Sequence, residues 1–141
     1  MAKPTERLRG FAVLIQPYPG FTVGQMRDLE RRVEDYAEAH DLQVDGHHLM
    51  YAISSTERSL SATDQVDLVD WLSGQPGIRA LRLTPLRERP DTPAAEEEGF
   101  LLVPSCDTVT IGLKLLYRAR RISAELYLQI LGGFVRSVSV H

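Results

Sequence analysis

The stretch Leu42-Gln43-Val44-Asp45-Gly46-His47-His48-Leu49-Met50-Tyr51-Ala52-Ile53 decides how the rest of the chain is read. Two short apolar runs, Leu42 to Val44 and Leu49 to Ile53, flank Asp45-Gly46-His47-His48. Asp-Gly between such runs signals a hairpin, because both residues tolerate the positive φ that a tight turn demands. The spacing predicts two antiparallel strands with the turn at Asp45 to His48. On the N-terminal side, Met26, Leu29, Val33, Tyr36, Ala37 and His40 recur at steps of three and four, the period of an amphipathic helix. Thr22 can open that helix, since its hydroxyl can accept from a free amide of the first turn. Before it, Phe11 to Gln16 is an apolar run closed by Pro17-Tyr18-Pro19-Gly20, a strand and a turn. On the C-terminal side, Ser61 or Thr63 can cap a second helix through Val66, Leu68, Val69 and Leu72, with Gly74 to end it and Pro76 to prevent its continuation. Ile78 to Leu83 reads as a strand. The order β-α-β-β-α-β predicts an α+β, ferredoxin-like core in which two helices cover one face of an antiparallel sheet.

Beyond this core, residues 88–99 carry two prolines and an acidic run without apolar period, the composition of a linker. Phe100 to Val103, Val109 to Tyr117 and Phe134 to Val140 read as strands. Ile122 to Leu131 alternates like a strand, yet Ser123 offers a cap and Gly132-Gly133 a stop, so a short helix is expected there. Arg121-Ile122-Ser123-Ala124 also echoes Arg58-Ser59-Leu60-Ser61-Ala62 ahead of the second helix. The chain thus divides into a short basic arm (1–10), an α/β core (11–87), a linker (88–99) and a β-rich C-terminal extension (100–141). Three strands with one short helix would leave an open apolar face, which must be buried on the core or on a second copy of the chain.

The chain has 141 residues, 43% of them hydrophobic and 25% charged, proportions of a folded globular domain. No apolar run approaches the roughly 18 residues that cross a bilayer, and Met1 to Gly10 lacks the apolar stretch of a signal peptide. A single cysteine, Cys106, can form no internal disulfide. These features predict a cytoplasmic protein without a membrane role. The net charge of −3 hides a segregation of sign. Lys3, Arg7 and Arg9 form one basic group, Arg79, Arg82, Arg87 and Arg89 a second, and Lys114, Arg118, Arg120 and Arg121 a third. Acidic blocks at 27–45, 57–70 and 91–98 alternate with them. Such blocks can present a polyanion with one face while the remainder keeps the protein soluble, or can be locally paired surface.

Catalytic chemistry finds little support. Asp45, His47 and His48 are the one close group of an acid with imidazoles, but neighbouring residues of a strand point to opposite faces and should not converge on an ion. Asp107 beside Cys106 would raise the thiol pKa, the reverse of what a nucleophile needs. Phosphate-cradling, dinucleotide and nucleophile-elbow patterns are missing. No catalytic residue, metal site or cofactor is expected. Trp71 falls on the helix beside Asp64 and Asp67 rather than beside Val69 and Leu72, and packing under the C-terminal extension is expected for it.

Gly10-Phe11-Ala12-Val13 leading to a turn with Gly20, the long acidic helix, Leu42-Gln43-Val44-Asp45-Gly46, and Thr63-Asp64-Gln65 through Trp71-Leu72 to Leu86 occur in an order that resembles the YggL family. These are small bacterial proteins that associate with the large ribosomal subunit. The likeness covers residues 10–86, and Met1-Ala2-Lys3 with Arg7-Leu8-Arg9 looks like a reduced form of the family's basic arm. Residues 88–141 have no counterpart in it. The resemblance implies a ribosome-binding role and structured RNA as a contact.

The residues therefore predict a protein that binds a macromolecule and is not an enzyme. The first two basic groups, if they share a surface, would neutralise phosphates of structured RNA, and arginine outnumbers lysine fourteen to two, which suits bidentate phosphate contacts. The alternative is a protein-binding regulator of the inhibitor or immunity-protein kind, acting through acidic faces and the extension. In either case Lys114, Arg118, Arg120 and Arg121 are the expected contacts of the extension with an acidic partner.

Overall fold

The computed structural model of the chain describes residues 8–88, 100–102 and 108–139. Lys3, Arg7, Arg89, Cys106 and most of the expected linker lie outside the described residues. The protein is α+β. Its elements are β1 (Phe11–Pro17), α1 (Val23–Ala39), β2 (Gln43–His47), β3 (Met50–Ser54), α2 (Ala62–Ser73), β4 (Ile78–Leu83), β5 (Phe100–Leu102), α3 (Thr108–Arg118) and α4 (Ala124–Ser139). The five strands form one antiparallel sheet in the order β2-β3-β1-β4-β5.

Strand alternation sorts the side chains into two faces. Phe11 lies opposite Ile53, Val13 opposite Tyr51 and Leu83, and Ile15 opposite Leu81. These residues are buried in one cluster with Leu29 and Val33 of α1, Val66, Val69 and Leu72 of α2, and Ala124, Tyr127, Leu128 and Leu131 of α4. α1, α2 and α4 therefore cover the same face. The other face carries Ala12, Leu14, Met50, Ala52, Ala80 and Arg82, as the pairs Ala12 with Ala52 and Leu14 with Met50 and Arg82 require.

Local chemistry sets the helix starts. Thr22 Oγ1 accepts from the Gln25 amide at 3.1 Å while Gln25 Oε1 accepts from the Thr22 amide at 2.8 Å, a reciprocal capping box. At α2, Asp64 reaches back to accept from the Ser61 amide and hydroxyl, and takes two bonds at 2.8 and 2.9 Å from the Arg58 guanidinium. Gly74 occupies the C-cap of α2, as expected. Where β4 ends, Thr84 Oγ1 accepts from the Ala12 amide at 2.8 Å, and the buried Gln65 donates Nε2 to the Thr84 carbonyl at 2.9 Å. These bonds satisfy polar groups inside the core.

Three expectations are corrected. The hairpin turn is not at Asp45 to His48: His47 pairs with Met50, leaving His48 and Leu49 as the two turn residues, with φ of 55° and 69°. Gly46 lies inside β2 with φ of 117°, where a Cβ would collide with the Met50 carbonyl oxygen, so its glycine answers a close backbone approach. Val109 to Tyr117 is not a strand but most of α3. The third concerns the short helix ending before Gly132 and the strand expected over Phe134 to Val140. Both give way to α4, which runs through both glycines to Ser139. Glycine inside a helix costs only about 1 kcal/mol, so two of them need not end it. Among its described residues the extension is one strand and two helices rather than β-rich. β5 continues the sheet at β4, and α4 enters the same core.

Candidate functional site

The third basic group is carried on α3 and the turn after it. In α3, Thr110 is buried and Leu113, Lys114 and Tyr117 are partly so. Their spacing places them on one stripe of the helix. That stripe meets the acidic outer side of α2. Arg118 Nη2 donates to Asp70 Oδ2 at 2.6 Å, Lys114 Nζ stands 3.5 Å from Asp70 Oδ1, and the Tyr117 hydroxyl donates to Asp67 at 3.2 Å. Burial, then the nearby Asp67 carboxylate, pushes the Tyr117 hydroxyl pKa above its ordinary value. The Tyr117 ring also packs 5.4 Å from that of Tyr127 in α4.

The helix is thus mounted by a mixed stripe, in which Leu113 and Tyr117 pack against the core and Lys114, Tyr117 and Arg118 reach the α2 carboxylates, and a second group of apolar side chains faces outward. Ile111, Leu115 and Leu116 are 47%, 60% and 45% exposed. Leu126 and Ile130 of α4 are also exposed. An amphipathic helix usually turns its apolar residues to the core, so these outward ones are in excess of what the packing of α3 uses.

At the C-terminal end of α3 the chain turns sharply, with Arg120 at φ of 59°. Ser123 Oγ then accepts from the Leu126 amide at 3.1 Å and opens α4. The turn, α3, the start of α4 and the start of α2 form a groove of about 740 Å³ lined by Thr63, Asp67, Tyr117, Arg118, Arg120, Arg121, Ser123 and Glu125, three guanidiniums and two carboxylates among them. Arg118 is held by Asp70. Arg120 and Arg121 are exposed, and among the described residues no carboxylate pairs with them. Of the four basic residues expected to contact a partner, two therefore anchor α3 and two remain outward.

The other expected residues do not assemble in the same way. Arg82 pairs with Leu14 on the sheet face opposite the helices, and Arg87 forms an isolated bridge with Gly10. Arg79 is exposed beside the irregular register at Gln16 and Pro17. Arg9 is tied through its backbone to the loop before α2, with its amide donating to Ser59 Oγ and its carbonyl accepting from Leu60. Lys3, Arg7 and Arg89 lie outside the described residues.

Trp71 is half-buried against the core cluster to which α4 of the extension contributes, and it also meets α1. Its ring lies 4.8 Å from Tyr36 of α1, whose other neighbour is the His40 ring at 4.0 Å. A cleft of about 590 Å³ runs past them between Arg32, Asp35, Asp67, Asp70 and Gln75. Burial, followed by Asp67, Asp64 and Asp70, pushes the Tyr36 hydroxyl up to about 12, so the ring is a neutral wall at ordinary pH. Asp45 and His48 are exposed in β2 and its turn, and among the described residues no three of His, Cys, Asp and Glu converge as metal ligands.

Sequence reasoning missed Asp67 and Asp70 as the seat of α3. The signal was present, because Thr110, Leu113, Lys114, Tyr117 and Arg118 follow the three-and-four step of a helix face. Among the described residues no helix is long and apolar enough to cross a membrane. Comparison of the chain with protein-family models, with curated proteins and with solved structures finds no match.

Proposed function

We propose that this protein is a non-enzymatic, macromolecule-binding α+β protein that receives an acidic partner at the corner where α3 meets α4. The observation that carries the reading is the groove holding Arg120 and Arg121, two outward guanidiniums beside a third that Asp70 fixes in place. Arginine suits this task because its planar fork makes paired bonds to carboxylate or phosphate. The core is read as ferredoxin-like, from its element order and from the placing of β1 between β3 and β4. Retention on immobilised heparin, a polyanion, tests the reading. The Arg120→Glu/Arg121→Glu variant should elute at clearly lower salt than the parent, and by more than a variant reversing the exposed Arg27 and Arg31 of α1. Equal losses in the two variants would remove the groove from the proposal.

A second reading is favoured by Arg82 and Arg87. Arg82 sits on the sheet face that the helices leave open, and Arg87 bridges Gly10 where β1 begins. In that reading the protein associates with the large ribosomal subunit in the cytoplasm, as the resemblance of residues 10–86 implies, and touches structured RNA with this face. Cosedimentation with purified large subunits should then be salt-sensitive and lost in Arg82→Glu/Arg87→Glu. Cosedimentation that persists in that variant would sink it.

A further inference from the structure

The groove reading leaves open what kind of acidic partner it takes, and the outward face of α3 narrows the choice. Ile111 and Leu115 stand one turn apart, with Leu116 beside them, all exposed, on a helix already seated through Leu113 and Tyr117 on the core and through Tyr117 and Arg118 on Asp67 and Asp70. Gly112 lies beside them on the helix: a Cβ placed there would meet nothing within 4 Å, so among the described residues no neighbour demands a glycine. A glycine inside a helix weakens it relative to alanine, and it is the residue that lets another backbone come close; Gly112 is half-buried. Arg118 follows Ile111 and Leu115 along the same side of the helix, at steps of four and three, and Arg120 and Arg121 come next in the turn where α3 ends. Apolar side chains, a glycine gap and an arginine border are complementary to an apolar stripe bordered by carboxylates. A nucleic acid would use the arginines and leave Ile111, Leu115 and Leu116 wet.

We propose that the outward face of α3, Ile111, Gly112, Leu115 and Leu116, docks an amphipathic helical segment of another protein, whose flanking Asp or Glu residues pair with Arg120 and Arg121. The segment lies along α3 in the helix-on-helix manner, its backbone crossing near Gly112. This rests on the basic groove being a binding site, and adds the chemical class of what binds there.

The test uses the full chain and a synthetic amphipathic peptide about five turns long, with leucines at helical spacing and glutamates beside the stripe. A second peptide keeps the leucines and replaces the glutamates by lysines. In fluorescence anisotropy the glutamate peptide should bind about tenfold or more tightly than the lysine peptide. Leu115→Glu and, separately, Ile111→Glu should each weaken it about tenfold while leaving the melting temperature in place, since both side chains already face water. Gly112→Leu strengthens the helix, so its expected loss of affinity reads the interface and not the fold. Arg120→Glu/Arg121→Glu should erase the preference between the peptides. Equal affinity for both peptides, or binding indifferent to Leu115 and Gly112, would overturn the proposal. So would duplex RNA, phosphatidylserine vesicles or self-association, by sedimentation equilibrium, if any of these depended on Leu115 and the glutamate peptide did not bind. If Leu115→Glu leaves heparin retention intact and the glutamate peptide does not bind, the groove reading stands and this one falls. If the peptide binds but reversal of Arg120 and Arg121 changes neither heparin retention nor peptide preference, both fall.

Discussion

Thr84 shows how much one polar side chain can settle. Its hydroxyl accepts from the Ala12 amide and donates to the Pro85 carbonyl, while its own amide donates to the Ala12 carbonyl and its carbonyl accepts from Gln65. One residue thereby closes the ladder where β4 leaves β1 and ties that exit to α2. Replacing the hydroxyl by a methyl group of similar volume leaves a buried amide without its acceptor. Thr84→Val should cost about 1–3 kcal/mol of unfolding free energy in a urea titration. Thr84→Ser keeps the hydroxyl and should lose clearly less.

At the scale of the element, the start of α2 depends on one carboxylate. Burial alone would raise the Asp64 pKa, but the bonds from Arg58 and from the Ser61 amide outweigh it and hold the group below the ordinary carboxylate range. A group whose pKa is depressed by folding stabilises the folded state above its unfolded value, about 3.9 for Asp, and loses that contribution as pH falls through the folded value. The melting temperature of the parent should therefore exceed that of Asp64→Asn at pH 6, and the gap should close as the pH is lowered below about 4. A gap that stays constant with pH would show that the amide replaces the carboxylate fully. The same element also illustrates the echo with α4: Ser61 and Ser123 each precede an alanine at the first helical position, behind the buried Leu60 and the partly buried Ile122. An apolar residue before the cap fixes the angle at which the chain enters a helix.

For the molecule as a whole, the C-terminal extension belongs to the architecture. β5 pairs with β4, and Tyr127, Leu128 and Leu131 of α4 share the cluster that contains Leu72, Leu81 and Leu83. A chain ending after Glu88 would expose those leucines and free the β4 edge, a template for strand pairing between molecules. It should aggregate, or melt at a markedly lower temperature than the full chain. A truncated protein that stays monodisperse in light scattering and melts with unchanged cooperativity would contradict this account of the core.

The sequence by itself determined the elements of the first part: the α1 cap at Thr22, the α2 stop at Gly74, and the β4 limits at Ile78 and Leu83. In these stretches the apolar period and the flanking turn chemistry agree, so local preference and burial point the same way. It did not determine the turn of the hairpin. Asp45-Gly46 has turn chemistry, but the register of β2 on β3 places Gly46 opposite Tyr51, where only a glycine avoids the backbone of its partner strand. Nor did it determine the character of Val109 to Tyr117, whose near-continuous apolar run suits either period. There the choice came from contacts distant in the chain. Only with Asp67 and Asp70 in place on α2 do Lys114, Tyr117 and Arg118 find partners by turning inward on a helix. The same turn sends Ile111, Leu115 and Leu116 outward and brings Arg118, Arg120 and Arg121 together in one groove. The candidate site was legible residue by residue as charge and apolarity. Its assembly was a tertiary result, because the carboxylates that orient α3 lie about 50 positions earlier in the chain, beyond the reach of any local periodicity.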